Sequence, residues 1–205
     1  MYNVFVMPSD GGGPARQITN REYWPFVRSV SPDGRTAIIE VQHPVTSNDL
    51  WTLDVATGRE LPLLVGPGDQ SYGQFSPDGQ WVAYGSDDNG RDEVYVQHFP
   101  ATGRKWSVSR DGGTRPRWSR DGKELFFRSG GKVMVADVST KPAPVIGMPK
   151  ELFEGDYAQE YDVSSDGKQF IMLKQDHSPR QKQFDVILGG AAEIGRRLTA
   201  AERRE

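Results

Sequence analysis

The chain has no cysteine and only three histidines among its 205 residues. The first absence excludes disulfides, thiolate metal sites and cysteine nucleophiles, and it leaves the redox compartment open. The second leaves little for a metal centre, since no H-x-x-x-H spacing occurs; no metal site and no cofactor are expected. Positive charge is not in excess either, because 25 Lys+Arg face 28 Asp+Glu for a net charge of -3. Nothing therefore draws the chain onto a phosphate backbone, and nucleic acid is not an expected partner. No run approaches the roughly 18 apolar residues of a membrane span. The start, MYNVFVMPSD, lacks the charged and apolar regions of a signal peptide. The segment reads as soluble, with no membrane insertion of its own. What is abundant is glycine and proline, 23 and 14 residues, above the roughly 12% average for the pair, which predicts many turns between short elements.

Self-similarity decides the architecture. One tetrapeptide position recurs four times, as Ser31-Pro32-Asp33-Gly34, Ser76-Pro77-Asp78-Gly79, Ser119-Arg120-Asp121-Gly122 and Ser164-Ser165-Asp166-Gly167, with the glycines 45, 43 and 45 residues apart. Ser at the first corner, Asp able to bond its own backbone and Gly free to take φ > 0 make each a β-turn joining two strands. Short segments ending in an apolar residue precede the turn (FVRSV, SYGQF, TRPRW, EYDV). Segments rich in β-branched and aromatic residues follow it (TAIIEV, WVAYGS, ELFFRS, QFIMLK). A third apolar segment comes next in every repeat (DLWTLDV, EVYVQHF, KVMVADV, QFDVIL), and a fourth in the first three (ELPLLV, KWSVS, ELF). Four antiparallel strands per roughly 44 residues is the size of a β-propeller blade.

The expected fold is therefore all-β, a propeller of four-stranded antiparallel blades with about four and a half blades present. Residues 1–20 read as a half blade, 21–66, 67–110 and 111–155 as whole blades, and 156–188 as a three-stranded blade, giving 17 strands over 1–188. Residues 189–205, rich in Ala, Glu, Arg and Leu, read as a short helix or frayed tail. The ends do not sum to whole blades, so the expectation is a length cut from a longer chain. An open arc would expose blade faces prone to self-association.

The stretches GQFSPDGQWVAYGSDDNGRDEVYVQHFPATGRKWSVS, GGTRPRWSRDGKELFF and YDVSSDGKQFIMLK resemble the WD-repeat-like (PD40, TolB-type) propellers of bacteria. The resemblance covers roughly residues 1–188. It includes the propellers C-terminal to the kinase domain of bacterial serine/threonine kinases. It implies a binding or scaffold module of a larger protein in a periplasmic or extracytoplasmic location, and the residues by themselves leave the compartment open. Two other parents fit the same fold, a TolB-type periplasmic scaffold and the gating propeller of a prolyl-oligopeptidase-like peptidase. Fold alone does not choose among them.

The chain lacks the motifs of an enzyme. G-x-S-x-G is absent, His43, His98 and His177 lie far apart, and neither a P-loop nor the kinase H-R-D and D-F-G motifs occur. Asp87 to Glu93 looks acidic enough for a calcium loop, but alignment on Gly90 places Gly85 and Val96 where ligands must stand. A hairpin explains it. Asp33, Asp78, Asp121 and Asp166 recur at one position and make turns, and Trp24, Trp51, Trp81, Trp106 and Trp118 are expected in the packing between blades. No catalytic residue is assigned.

Binding is left to the loops and first strands around the channel mouth. Counted from the repeated Ser, the residues four before it are Val27, Tyr72, Arg115 and Glu160, and those two before it are Ser29, Gln74, Arg117 and Asp162. Strand alternation puts both positions on one face. Tyr72, Arg115, Arg117, Glu160, Tyr161 and Asp162 are thus the candidate ligand-binding residues, suited to a protein or peptide, or to a small charged ligand.

Overall fold

The computed structural model describes residues 2–141, 143–164 and 167–174. These form strands and turns with no helix among the described residues. The strands are β1 (Phe5–Val6), β2 (Arg16–Gln17), β3 (Pro25–Val30), β4 (Thr36–His43), β5 (Ser47–Asp54), β6 (Glu60–Leu64), β7 (Gln70–Phe75), β8 (Trp81–Ser86), β9 (Glu93–His98), β10 (Lys105–Ser107), β11 (Thr114–Trp118), β12 (Glu124–Ser129), β13 (Lys132–Ser139), β14 (Val145–Ile146), β15 (Lys150–Glu154), β16 (Tyr157–Val163) and β17 (Phe170–Lys174). They pair as antiparallel meanders: β1-β2, then β3-β4-β5-β6, β7-β8-β9-β10, β11-β12-β13-β15, and β16-β17.

Seventeen strands were expected and seventeen are present among the described residues, but not the same seventeen. The strand predicted at QFDVIL, the tail at 189–205, His177 and the turn residue Asp166 lie outside the described residues. In their stead stands β14, inside the KPAPVIGMP stretch that reads as a connection. On the edge of β13 away from β12, pairing with β15 covers Lys132 to Val135, and further along that edge Val138 and Ser139 pair with Ile146 and Val145. The backbone groups of that edge beyond β15 need partners, and β14 supplies them.

The repeated turn shows why its residue types recur. In the first copy Gly34 N donates to Ser31 O at 2.8 Å with Gly34 at φ 72°. The Ser31 hydroxyl donates to Asp33 Oδ1 at 2.6 Å and accepts from Thr36 N at 3.0 Å, and Asp33 Oδ1 also accepts from Arg35 N at 3.1 Å. The copies at Ser76 and Ser119 repeat every one of these bonds. The Ser hydroxyl, then the backbone N–H two residues on, hold the Asp33 and Asp121 carboxyls below their ordinary range. A carboxyl depressed in the folded state stabilises fully above its unfolded value and loses that contribution as pH falls through the folded one. The wild type should therefore lose more thermal stability between about pH 6 and about pH 3 than an Asp33→Asn, Asp121→Asn variant. Equal losses would remove the carboxylates from the turn's energetics.

Apolar packing lies between successive sheets. Val4 and Ile18 pack on Ala37, Ile39, Val41 and Leu53. Ile38 and Leu50 meet Phe75, Val82, Tyr84 and Tyr95. Trp81, Ala83, Val94 and Val96 meet Leu125, Phe127, Ala136 and Val138, and Phe126 and Val135 meet Tyr161. Alternate residues of β8 thus enter different clusters, so both its faces are covered and WVAYGS reads as a continuous buried run. Four of the five tryptophans follow the expectation: Trp81 is buried, and Trp51, Trp106 and Trp118 pack against the clusters. Trp24 does not. It is 53% exposed, edge-on to Tyr2, because it precedes β3 and lies in an open cleft with Tyr23 and His43. His43 ends β4 rather than lying in a loop, and its Nδ1 accepts from Val45 N at 3.2 Å.

Candidate functional site

The first strands of neighbouring sheets run beside one another and are tied by side chains. Gln74 Nε2 donates to Arg28 O at 2.9 Å, Phe75 N to the Ser29 hydroxyl at 3.1 Å, Trp118 Nε1 to Gln74 O at 3.3 Å and the Tyr161 hydroxyl to Arg115 O at 2.9 Å. Each first strand is also bulged before the repeated Ser. The register shifts between Ser71 and Gln74 in β7 and between Thr114 and Arg117 in β11, two residues standing against one of the partner strand. In these two strands the residue that opens the bulge is left-handed, Tyr72 at φ 59° and Arg115 at φ 53°. Only glycine takes that conformation freely, and another residue gives up about 1–2 kcal/mol to hold it.

The bulge re-aims the side chains. The Arg115 guanidinium lies 4.4 Å from the Tyr72 ring centroid, and the Arg28 guanidinium lies 5.1 Å from that ring. Arg115 Nε donates to Glu160 Oε1 at 2.9 Å. Arg28, Tyr72, Arg115 and Glu160 therefore form a row that crosses four first strands. Burial first, against the opposing pull of Arg115, pushes the Tyr72 hydroxyl above its ordinary value, so it stays neutral and able to donate.

Not all six candidates converge. Tyr72, Arg115 and Glu160 do, and Tyr161 joins them under the row, buried, through its bond to Arg115 O. Arg117 reaches the group only through the Tyr161 ring, 5.9 Å away, and donates to Pro116 O at 3.0 Å. Asp162 stands apart, exposed, its Oδ1 accepting from Val163 N at 2.9 Å. Simple alternation does not carry through a bulge, so the positions four and two before the Ser do not share one face. Ser29 and Gln74 turn to the neighbouring strand's backbone instead.

Three charged residues belong here that first-strand counting misses. Glu40 is buried and takes Arg28 at 2.8 and 2.6 Å and Tyr72 N at 2.8 Å, so one carboxylate clamps its own sheet to the next sheet's bulge. Arg128 is fully buried. Both stand nine residues after the repeated Ser, each a charge inside an apolar run (TAIIEV, ELFFRS), and that shared position is the signal that could have found them. The third is Arg28 itself. Elsewhere, burial and then Asp87 and Asp69 push the Asp92 carboxyl up, and the stretch from Asp87 to Asp92 is the connection between β8 and β9. Among the described residues no three His, Asp or Glu side chains converge to hold a metal ion.

Four-stranded antiparallel sheets packed face to face, with bulged first strands side by side, define a β-propeller. The TolB-type resemblance of the repeats is matched by solved structures of that fold. The chain is similar to the putative TolB of Agrobacterium tumefaciens (21% identity, TM-score 0.61, covering 74% of this chain and 56% of that one). It is also similar to TolB of Acinetobacter baumannii (22%, TM-score 0.66, 82% and 42%) and to an oligogalacturonate lyase solved with manganese (13%, TM-score 0.58, 80% and 51%). At these identities the likeness is one of fold. A curated uncharacterized protein of Agrobacterium fabrum is 29% identical over 94 residues, 45% of this chain and 30% of that protein. No family model matches. The chain thus spans about half the length of the solved TolB structures and less of the curated relative.

Proposed function

We infer that this chain is a non-catalytic binding and scaffold module of a larger bacterial protein. It presents the Tyr72, Arg115 and Glu160 row to a protein or peptide, in an extracytoplasmic setting like that of TolB. The observation that carries this reading is the paired left-handed conformation of Tyr72 and Arg115 at one repeat position. Glycine would make the same bulge without strain, so the side chains are what the strain retains. A flat aromatic ring between two guanidinium groups, with a half-open carboxylate beside it, suits extended peptide backbone and mixed-charge side chains.

The reading is tested with peptides selected on the wild-type chain from a displayed library. Arg115→Ala, Arg117→Ala should leave the melting temperature within a few degrees, because the Glu160 partner of Arg115 is more than half exposed and solvent screens the pair to about 1 kcal/mol or less. It should weaken selected peptides at least tenfold. Peptides that bind this variant as tightly as the wild type would remove the row from the site.

A further inference from the structure

Arg128 is the one described charged residue with no exposure at all. Its Nε and Nη1 meet no acceptor. Nη2 reaches Gly130 O at 3.3 Å, and that oxygen also takes Gln159 Nε2 at 3.4 Å. A buried guanidinium without a counter-ion is costly. Arg128 lies on the alternation of β12 that carries Phe126, whose ring packs with Tyr161 of the following sheet. The Tyr161 hydroxyl donates to the Arg115 backbone carbonyl at 2.9 Å, and the Arg117 guanidinium lies 5.9 Å from the Tyr161 ring. The Arg115 side chain is turned instead to the Tyr72 ring and to the carboxylate of Glu160.

The chain itself shows what satisfies a guanidinium at this level of the fold. At the equivalent position two sheets earlier stands Glu40, whose carboxylate takes Arg28 in a two-bond pair. At the later seam the charge is inverted. The position equivalent to Glu40 holds Arg128, and the position equivalent to Arg28 holds the uncharged Pro116. Among the described residues no carboxylate stands in that place, and a planar, anionic and small group would complete the arrangement.

We propose that Arg128, with Arg117 beside Tyr161, is the seat for a carboxylate of an acidic peptide ligand. This rests on the reading above for the kind of ligand and extends it to the group recognised. The test uses glutarate, a dicarboxylate, as probe against sodium chloride at matched ionic strength. The wild-type chain is followed by its arginine Nε–H resonances and its melting temperature. Glutarate should move the Arg128 resonance saturably and raise the melting temperature. Arg128→Met should fold and melt above the wild type in chloride, since an uncompensated buried charge is gone, and should bind glutarate at least tenfold more weakly. An unmoved Arg128 resonance, or an Arg128→Met variant that responds to glutarate as the wild type does, overturns the seat. A selected peptide that needs Arg115 but binds Arg128→Met undiminished overturns the seat and spares the binding reading. A glutarate response at Arg128 with no peptide dependent on Arg115 supports the seat and sinks that reading.

Discussion

Glu40→Ala is expected to destabilise the chain by about 3–5 kcal/mol, because it leaves the Arg28 guanidinium and the Tyr72 amide without their shared acceptor. Glu40 is 3% exposed and makes three bonds between 2.6 and 2.8 Å, two within its own sheet and one to the next. Arg28 keeps about a quarter of its side chain in water, which pulls the figure toward the lower end. In a chain of this length a 3 kcal/mol loss lowers the melting temperature by roughly 6–12 °C. Urea denaturation measures it directly. Removing both charges together, as Arg28→Met, Glu40→Met, should restore most of the loss, since a buried pair is worth little against apolar packing. A Glu40→Ala variant within about 1 kcal/mol of the wild type would show that the clamp is not what joins these sheets.

Gly58→Ala should cost about 3 kcal/mol and Gly34→Ala only about 1, although the two glycines have nearly the same backbone. Gly58 sits at φ 74° and Gly34 at φ 72°, so both variants bear the left-handed penalty. A Cβ on Gly34 meets nothing within 4 Å, whereas on Gly58 it falls 2.4 Å from the carbonyl oxygen of Ile18. That carbonyl belongs to the segment after β2, whose Ile18 side chain packs with Val4 on Leu53 and Ile39. Relief of the clash must push the β1-β2 pair off its neighbour. Besides the larger fall in stability, proteolysis within residues 2–19 should accelerate in Gly58→Ala and not in Gly34→Ala. Equal stability of the two variants would mean that the β1-β2 pair is not seated where the packing places it.

The blade plan was legible because one local structure, the Ser-x-Asp-Gly turn, writes its whole hydrogen-bond set into four residues and repeats it. The row around Tyr72 was legible in part for the same reason: Tyr72, Arg115 and Glu160 fall at one count from the Ser. What could not be read was the bulge. A left-handed tyrosine or arginine has no residue signature, since sequence habit reserves that conformation for glycine. Strand alternation carried through an unseen bulge then assigns Gln74 and Asp162 to a face they do not share with Tyr72. Glu40 and Arg128 lay in the second strands, where a charge in an apolar run looks like an edge of the pattern until the packing of the sheets shows it buried. β14 escaped because the prolines around Val145 and Ile146 mark a connection, and only the edge of β13 left open beyond β15 makes a strand of it.

The side-chain ties between first strands have a consequence for cooperativity. Bonds between first strands join each of the sheets from β3 to β17 to its neighbour, and each apolar cluster likewise joins two consecutive sheets. The stability of such an array is close to a sum over neighbouring interfaces, as in a one-dimensional chain of coupled units. The sheets β7 to β10 and β11 to β15 are each covered by clusters on both faces and tied through their first strands to both neighbours. Opening should then spread inward from the outer pairs of the described array, and the Tyr72 and Arg115 row spans the interface between these two sheets.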